Sequence, residues 1–171
     1  NHLTVKRPNL CAWLTAKAVA AGADLRLSHH ADEVLLDGGR AIGVHVSPPQ
    51  DAAFLADLVV LADGANSLLA ERAGLAPRVS PRALALYAKE TIALPPETIE
   101  ERFNLPPGQG AVIGLIGHPT AGYNGTASIH TFRDSVNINA GLAISDFAAG
   151  GFSPADLLAR IKKHPRIEPL L

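Results

Sequence analysis

An Asp-Gly pair that follows an apolar run is the first candidate for chemistry in this sequence. Residues 58–62 are apolar, Asp63 and Gly64 come next, and a short helical pattern begins near Ser67. A strand that turns into a helix leaves a crevice at its carboxyl end, where open α/β sheets bind ligands. Asp63 could accept hydrogen bonds from hydroxyls or from a phosphate-bound water, and Gly64 allows close backbone approach because it lacks a Cβ atom. The alternative is an ordinary turn, in which Asp and Gly serve only the turn itself.

Two adjacent histidines near two carboxylates are the second candidate. His29 and His30 precede Asp32 and Glu33, and these side chains could ligate a metal. Neighbouring residues of a strand point to opposite faces, so this spacing chelates an ion poorly.

Other catalytic motifs are absent from the sequence. Neither G-x-S-x-G nor H-E-x-x-H occurs, so a serine hydrolase or a zinc protease has no support. G-x-G-x-x-G is also absent, and the nearest approach, Gly108-Gln109-Gly110, lacks the third glycine. If the protein binds a dinucleotide, we expect the pyrophosphate cradle to lie in a segment before this chain.

Residues 1–80 are predicted to form an α/β region with a small hairpin. Pro8 suits the first turn of a helix, and Gly22 is a common helix stop. Asp37-Gly38-Gly39-Arg40 is a strong hairpin signal. In chain order we predict a helix over 8–21, strands over 23–27, 33–36, 41–46 and 54–62, and a helix over 67–73.

Residues 82–171 are predicted to form an antiparallel sheet with helices, an α+β arrangement. Ser153 and Pro154 are typical of a helix start, and Pro165 ends the same helix. Lys162-Lys163-His164 would place positive charge at its C-terminal end, which the helix dipole favours. We predict strands over 84–94, 111–116, 126–132 and 136–144, a short helix over 97–103 and a last helix between Ser153 and Pro165.

Composition narrows the functional classes. Of 171 residues, 47% are hydrophobic and 18% charged, and the net charge of −1 gives no basic face for nucleic acid. A single cysteine, Cys11, excludes an internal disulfide and a self-contained iron–sulfur site, and it fits a reducing cytoplasm. The longest apolar run, residues 111–117, is far shorter than the ~20 residues that span a membrane. The chain has no Met and begins with Asn1, so we expect a piece of a longer protein.

Several short motifs resemble those of FAD-binding flavoproteins. Residues 7–14 with Ala20-Ala21-Gly22-Ala23 resemble the arginine-bearing helix of monooxygenase-type FAD domains, and residues 62–67 resemble their second, internal FAD motif. Longer stretches in the second half are more specific; they are residues 89–95 and 99–105, Gly117-His118-Pro119, Gly122-Tyr123-Asn124-Gly125 and Lys163-His164-Pro165-Arg166-Ile167. Together they resemble electron-transfer-flavoprotein:quinone oxidoreductases, and above all the Fix-type (FixC) flavoprotein family linked to nitrogen fixation.

The resemblance implies an FAD-dependent oxidoreductase. Such an enzyme takes electrons from an electron-transfer flavoprotein and passes them to quinone or to a ferredoxin-like protein. The resemblance places Arg7 along the FAD and brings Asp63, Gly64 and Ala65 to its ribityl–pyrophosphate region. It makes residues 1–80 a partial FAD-binding domain with a hairpin insert, and residues 82–171 an incomplete, antiparallel-sheet substrate or quinone domain.

The same resemblance places a quinone pocket at a glycine-bearing loop. Tyr123, Asn124 and Gly125 would line this pocket near the isoalloxazine ring. Quinone reductases usually have Tyr-Gly-Gly here, and Asn124 stands where they have the middle glycine. The enzyme would be cytoplasmic or peripheral on the inner membrane, with residues 111–117 as a membrane contact or, alternatively, a core strand.

Two other hypotheses stay open. A geranylgeranyl-reductase-like enzyme on the same scaffold would act on a prenyl lipid and would need a large apolar cavity. Alternatively, these residues alone would be a non-catalytic fragment or docking module that forms a stable partner complex without flavin.

Overall fold

The computed structural model describes residues 3–77 and 79–171, which form two compact units. The first unit combines the residues up to Cys11 with Ser80–Leu171, and the second unit is Ala12–Val79. Each unit contains one antiparallel sheet. The predicted combination of α/β and α+β is confirmed as a mixed fold, with the correction that both described sheets are antiparallel.

A three-stranded sheet in the order β1-β2-β3 forms the second unit. Strands β1 (Ala31–Asp37) and β2 (Arg40–Val46) make the predicted hairpin. Gly38 and Gly39 at its turn have φ angles of 54° and 82°, which glycine adopts without steric cost. Strand β3 (Ala52–Leu55) pairs with β2 on the other side.

Two strands predicted for this half are wrong. Residues 23–27 form irregular backbone and a turn, and the strand predicted over 54–62 ends at Leu55. The apolar side chains of Leu58 and Val60 are each 77% exposed, so this segment is not a buried strand. A strand needs a neighbour to pair its N–H and C=O groups, and among the described residues no strand lies beside this segment.

Two helices precede and follow the three strands of this sheet in the sequence. Helix α1 (Arg7–Ala20) confirms the first predicted helix, but it buries none of its residues, and Trp13 is 57% exposed. Helix α2 (Leu68–Arg72) follows the Asp-Gly pair as predicted, buries Leu69 and Ala70, and contacts β1.

The first unit is built on a four-stranded antiparallel sheet in the order β4-β7-β6-β5. Its strands are β4 (Ala85–Ala93), β5 (Val112–Leu115), β6 (Gly125–Thr131) and β7 (Ser135–Ala143). Its further helices are α3 (Pro96–Arg102), α4 (Ile144–Gly150) and α5 (Pro154–Lys162). The four strands and the helices α3 and α5 confirm the sequence prediction, whereas α4 was not predicted.

The core of the first unit lies on one face of this sheet. Side chains of a strand alternate between faces, and every second residue of β7 from Val136 to Leu142 is apolar and buried. Helices α3, α4 and α5 contact β7. The largest fully buried apolar side chains are Val136, Ile138, Leu142, Ile129 and Leu157.

Helix α5 begins with the predicted cap. The Ser153 hydroxyl accepts a hydrogen bond from the Asp156 amide at 3.1 Å, and the Asp156 carboxylate accepts one from the Ser153 amide at 2.9 Å. This reciprocal capping box satisfies two amides that the helix itself cannot pair. Among the helices of the described residues, none has both the length and the apolar character that crossing a membrane requires.

Candidate functional site

One face of the four-stranded sheet carries polar side chains in three rows. Each row crosses β4, β7 and β6 in register. The rows are Tyr87, Gly141 and Thr126; Lys89, Asn139 and Ser128; and Thr91, Asn137 and His130. We call this surface the polar sheet face. Because the opposite face holds the apolar core, the polar sheet face is where the first unit concentrates hydrogen-bonding groups.

A tyrosine lies flat across the first row. The ring of Tyr87 occupies the space beside Gly141, where an added Cβ atom would collide with the ring. Its hydroxyl reaches Thr126 on the next strand but one, with 2.9 Å between the two oxygens. Tyr87 is 48% exposed, so the side chain offers both an aromatic face and a fixed hydroxyl at this end of the sheet.

A serine links the second and third rows. Ser128 Oγ lies 2.9 Å from Asn139 Nδ2 and 2.9 Å from His130 Nε2. When the Asn139 amide donates to Ser128, the serine hydroxyl can donate to His130. These half-buried groups form a short polar chain that ends in the imidazole of His130.

The loop predicted to line a quinone pocket joins the 3₁₀ turn His118–Thr120 to β6. Tyr123 is half-buried against Phe152, with ring centroids 5.8 Å apart, and its carbonyl accepts from the Thr120 hydroxyl at 2.8 Å. Asn124 is exposed. At Gly125 an added Cβ atom would collide with Leu142 and with backbone of β7, so packing alone explains this glycine.

The Asp-Gly pair makes a different set of contacts. Asp63 accepts from the Ser67 hydroxyl at 2.8 Å and from the Leu69 amide at 3.5 Å, so its carboxylate closes the start of α2. The Ser67 hydrogen bond holds the pKa of Asp63 below its ordinary value. Gly64 has a φ of 91°, and an added Cβ there would meet nothing within 4 Å. Asp63 therefore serves the turn before α2, and the space beside Gly64 is open.

The remaining FAD-related residues are exposed. Arg7 opens α1, and in the described part of the chain no carboxylate lies within 4.0 Å of its guanidinium. Its neighbour Lys6 pairs with Asp134 at 2.6 Å, which lowers the pKa of that carboxyl. Ala65 lies in the exposed turn after Gly64.

A histidine that the sequence analysis missed is bound by two carboxylates. His45 on β2 lies 3.0 Å from Asp32 through Nδ1 and 3.2 Å from Asp51 through Nε2. Asp32 sits at a register shift in β1, and such bulges change the direction of a side chain. The Asp32 hydrogen bond raises the pKa of His45, and the same bond lowers the pKa of Asp32.

The metal candidate near His29 is not assembled. Asp32 is committed to His45, and His29 Nδ1 contacts the Leu27 carbonyl at 2.7 Å. Within residues 3–77 and 79–171, no group of three or more metal-binding side chains could hold an ion.

The structure keeps the predicted site residues in three places. Tyr123 and Asn124 lie in the loop before β6 of the first unit and Gly125 begins β6; Arg7 opens α1; Asp63, Gly64 and Ala65 share one loop of the second unit. The polar sheet face was missed, although its signal is in the sequence. Polar residues alternate with apolar ones in 126–130 and 137–139, and in 87–91 except at Glu90, and this period predicts a shared face once the strands pair.

Relatives of the chain are found among proteins named FixC and a probable electron transfer flavoprotein-quinone oxidoreductase. The chain is 39% identical over all of its 171 residues to the FixC protein of Azotobacter vinelandii and 37% identical to that of Bradyrhizobium diazoefficiens. It is also 34% identical, over 98% of its length, to the probable electron transfer flavoprotein-quinone oxidoreductase YdiS of Escherichia coli. The chain is therefore similar, over its whole length, to a segment of these FixC proteins. The resemblance read from the motifs is thereby confirmed.

The segment is a minor part of the FixC relatives. The chain spans about 39% of the length of the FixC proteins and 38% of YdiS. No protein-family model matches the chain.

Proposed function

We propose that this chain is part of an FAD-dependent, Fix-type oxidoreductase. The whole protein would take electrons from an electron-transfer flavoprotein and pass them to quinone or to a ferredoxin-like protein. The observation that carries this proposal is the similarity over the full chain to FixC proteins and to YdiS, whose name describes a probable electron transfer flavoprotein-quinone oxidoreductase.

In this proposal residues 1–80 are part of an FAD-binding domain. The exposed apolar side chains of residues 55–60 support it, because Leu55, Leu58 and Val60 are 74–77% exposed. Apolar side chains in such a run are stable when covered, and other segments of a complete FAD-binding domain would cover them.

The Asp63 loop fits one part of FAD. A carboxylate accepts hydrogen bonds from the hydroxyls of a ribityl chain, and the open space beside Gly64 admits a ligand close to the backbone. Ala65 would extend this approach, and Arg7 would offer a positive charge to the phosphates. When bound, FAD supplies the redox chemistry, while the protein supplies position and electrostatics.

Residues 82–171 would carry the acceptor side of the enzyme. Tyr123, Asn124 and Gly125 would contact quinone, with Asn124 offering a side-chain amide where a middle glycine is usual. The polar sheet face begins one residue after this loop, at Thr126, and would supply hydrogen bonds to the carbonyl oxygens of a bound quinone.

The first test is a visible absorption spectrum of the full-length gene product purified with added FAD. Flavin bands, followed by quinone reduction on addition of reduced electron-transfer flavoprotein, are expected. A full-length protein that binds flavin but reduces a prenyl lipid instead of quinone would favour the geranylgeranyl-reductase-like alternative. A full-length protein without flavin would overturn the proposal and favour a docking module.

A matched pair of variants tests the Asp63 contact. Asp63→Asn keeps the shape and one oxygen that can accept from the Leu69 amide but loses the carboxylate charge, so FAD affinity should fall by about tenfold. Ser67→Ala removes the internal partner of Asp63 and leaves the carboxylate, so FAD affinity should be unchanged. Equal FAD affinity in both variants would remove Asp63 from the site.

A further inference from the structure

Two motifs singled out in the sequence, Gly117-His118-Pro119 and residues 163–167, are unused by the proposed function, and residues of both line one cavity of the first unit. The cavity has a volume of about 250 Å³. His118 and Pro119 line it from one side, and the turn that contains His164 and Arg166 lines it from the other. These motifs lie more than 40 residues apart in the chain, so only the fold brings them together.

The floor of the cavity is apolar. Leu115 at the end of β5, Ile161 of α5 and Ile167 of the following turn all line it. Ile161 and Ile167 are buried members of the core, 2% and 7% exposed, so the floor is a fixed surface.

The polar groups around the cavity are all potential cations or hydrogen-bond donors. Arg160 and Arg166 line it with His118 and His164, and none of its lining residues is acidic. In the portion of the chain that the structure describes, no carboxylate lies within 4.0 Å of either arginine. The positive charge at this cavity is therefore not neutralised by an ion pair.

Internal hydrogen bonds hold both walls in place. On one side the buried Thr120 hydroxyl lies 2.7 Å from the Gly117 carbonyl and 2.8 Å from the Tyr123 carbonyl, and can donate its single hydrogen to either. On the other side the His164 carbonyl accepts a hydrogen bond from the Ile167 amide at 2.8 Å. The ring nitrogen Nδ1 of His164 accepts a hydrogen bond from the Arg166 amide at 3.2 Å. An Nδ1 that accepts leaves Nε2 to carry the proton, so the free edge of the ring is a donor.

We propose that this cavity binds a small amphiphilic anion, namely a carboxylate or phosphate group attached to a short apolar body. The guanidinium groups of Arg160 and Arg166 pair with the anionic group, and the Nε2 hydrogen of His164 donates to it. The apolar body lies against Leu115, Ile161 and Ile167. The volume is below the ~300–1,000 Å³ of most ligand pockets, so it suits a compact group. None of the residues that line this cavity is one to which the proposed function gives a role with FAD or quinone.

Calorimetric titration of the full-length gene product with hexyl phosphate tests the site. Saturable binding is expected. Inorganic phosphate lacks the apolar chain and hexanol lacks the anionic group, so each should bind at least about tenfold more weakly than hexyl phosphate. Equal affinity for inorganic phosphate would overturn the claim that an apolar part of the ligand contributes to binding. No saturable binding of hexyl phosphate would overturn it entirely.

Arginine variants locate the binding. Arg160→Gln and Arg166→Gln should each weaken hexyl phosphate binding by about tenfold, through loss of a charge-assisted hydrogen bond. Arg102→Gln is the matched control, because Arg102 is an exposed arginine at the end of α3 outside this cavity. All three arginines are exposed, so circular dichroism should show that folding is retained. Equal weakening in all three variants would mean general charge attraction and would overturn the proposal.

The anion could belong to a free metabolite or to a lipid headgroup, and vesicles distinguish these sources. Flotation with phosphatidylglycerol vesicles that is lost in Arg160→Gln and Arg166→Gln but kept in Arg102→Gln would identify a lipid phosphate. Hexyl phosphate binding without arginine-dependent flotation would identify a free amphiphilic anion.

Discussion

At the scale of single residues, two glycines of the polar sheet face show how differently sheet positions tolerate a side chain. Gly141 lies under the ring of Tyr87, with the Leu86 carbonyl also within collision range of an added Cβ atom. Gly114 belongs to the same face on β5, where an added Cβ atom would meet nothing within 4 Å.

Gly141→Ala should therefore destabilise the chain by about 1–3 kcal/mol, because the alanine must displace Tyr87 and strain β7. Gly114→Ala is the matched control and should change the free energy of unfolding by less than about 0.5 kcal/mol. Urea unfolding followed by circular dichroism measures both. Equal stability of the two variants would mean that Tyr87 does not lie across Gly141.

At the scale of elements, α5 depends on its cap because it is short and amphipathic. Three of its residues, Leu157, Leu158 and Ile161, enter the core of the first unit. The capping box at Ser153 and the ion pair of Lys162 with Glu90 of β4, at 2.6 Å, hold its two ends.

Ser153→Ala should lower the free energy of unfolding by about 1 kcal/mol, because the Asp156 amide loses its acceptor. Ser80→Ala serves as the control, since Ser80 caps only the three-residue turn Pro81–Ala83 over a 3.4 Å contact. The comparison uses urea midpoints at neutral pH. A loss no larger in Ser153→Ala than in Ser80→Ala would contradict the capping role.

The elements that could be predicted from the sequence are those with local signals. The hairpin follows from its two glycines, and α5 follows from Ser153 and Pro154, because these residues act on their immediate neighbours. The strand predicted over 54–62 failed beyond Leu55, because an apolar run becomes a strand only where another strand pairs with it.

The same reasoning applies to the candidate site. Asp63 and Gly64 were predicted at a turn before a helix and are found there, because the turn is a local feature. The polar sheet face and the His45 contacts depend on which strands pair and in which register. His45 and Asp32 are 13 residues apart, and only the bulge in β1 turns the carboxylate towards the imidazole.

At the scale of the whole molecule, hydrogen-bonded carboxylates determine how the stability of the fold decreases at low pH. The pKa is lowered at Asp32 by His45, at Asp63 by Ser67, at Asp134 by Lys6 and at Asp156 by Ser153. A depressed pKa contributes stability above the ordinary value of about 3.9 and loses it as pH falls through the folded-state value. Stability should therefore drop below about pH 4.

His45 makes stability depend on pH in the opposite direction. Its raised pKa contributes stability that is complete below the ordinary value of about 6.5 and is lost as pH rises through the folded-state value. His45→Gln should therefore lower the urea midpoint most between about pH 4 and 6.5, and progressively less at higher pH. A pH-independent loss in His45→Gln would mean that the ion pairs do not form.

The strand order β4-β7-β6-β5 also constrains how the protein is made. Ala93, at the end of β4, pairs with Ser135 at the start of β7. During synthesis at about 5–20 residues per second, β4 leaves the ribosome at least about 40 residues, or several seconds, before its partner. For that time its backbone groups are a free edge, able to pair with another nascent chain. The interval between β4 and β7 is thus the stage at which misassembly competes with folding, and where a chaperone would have most effect.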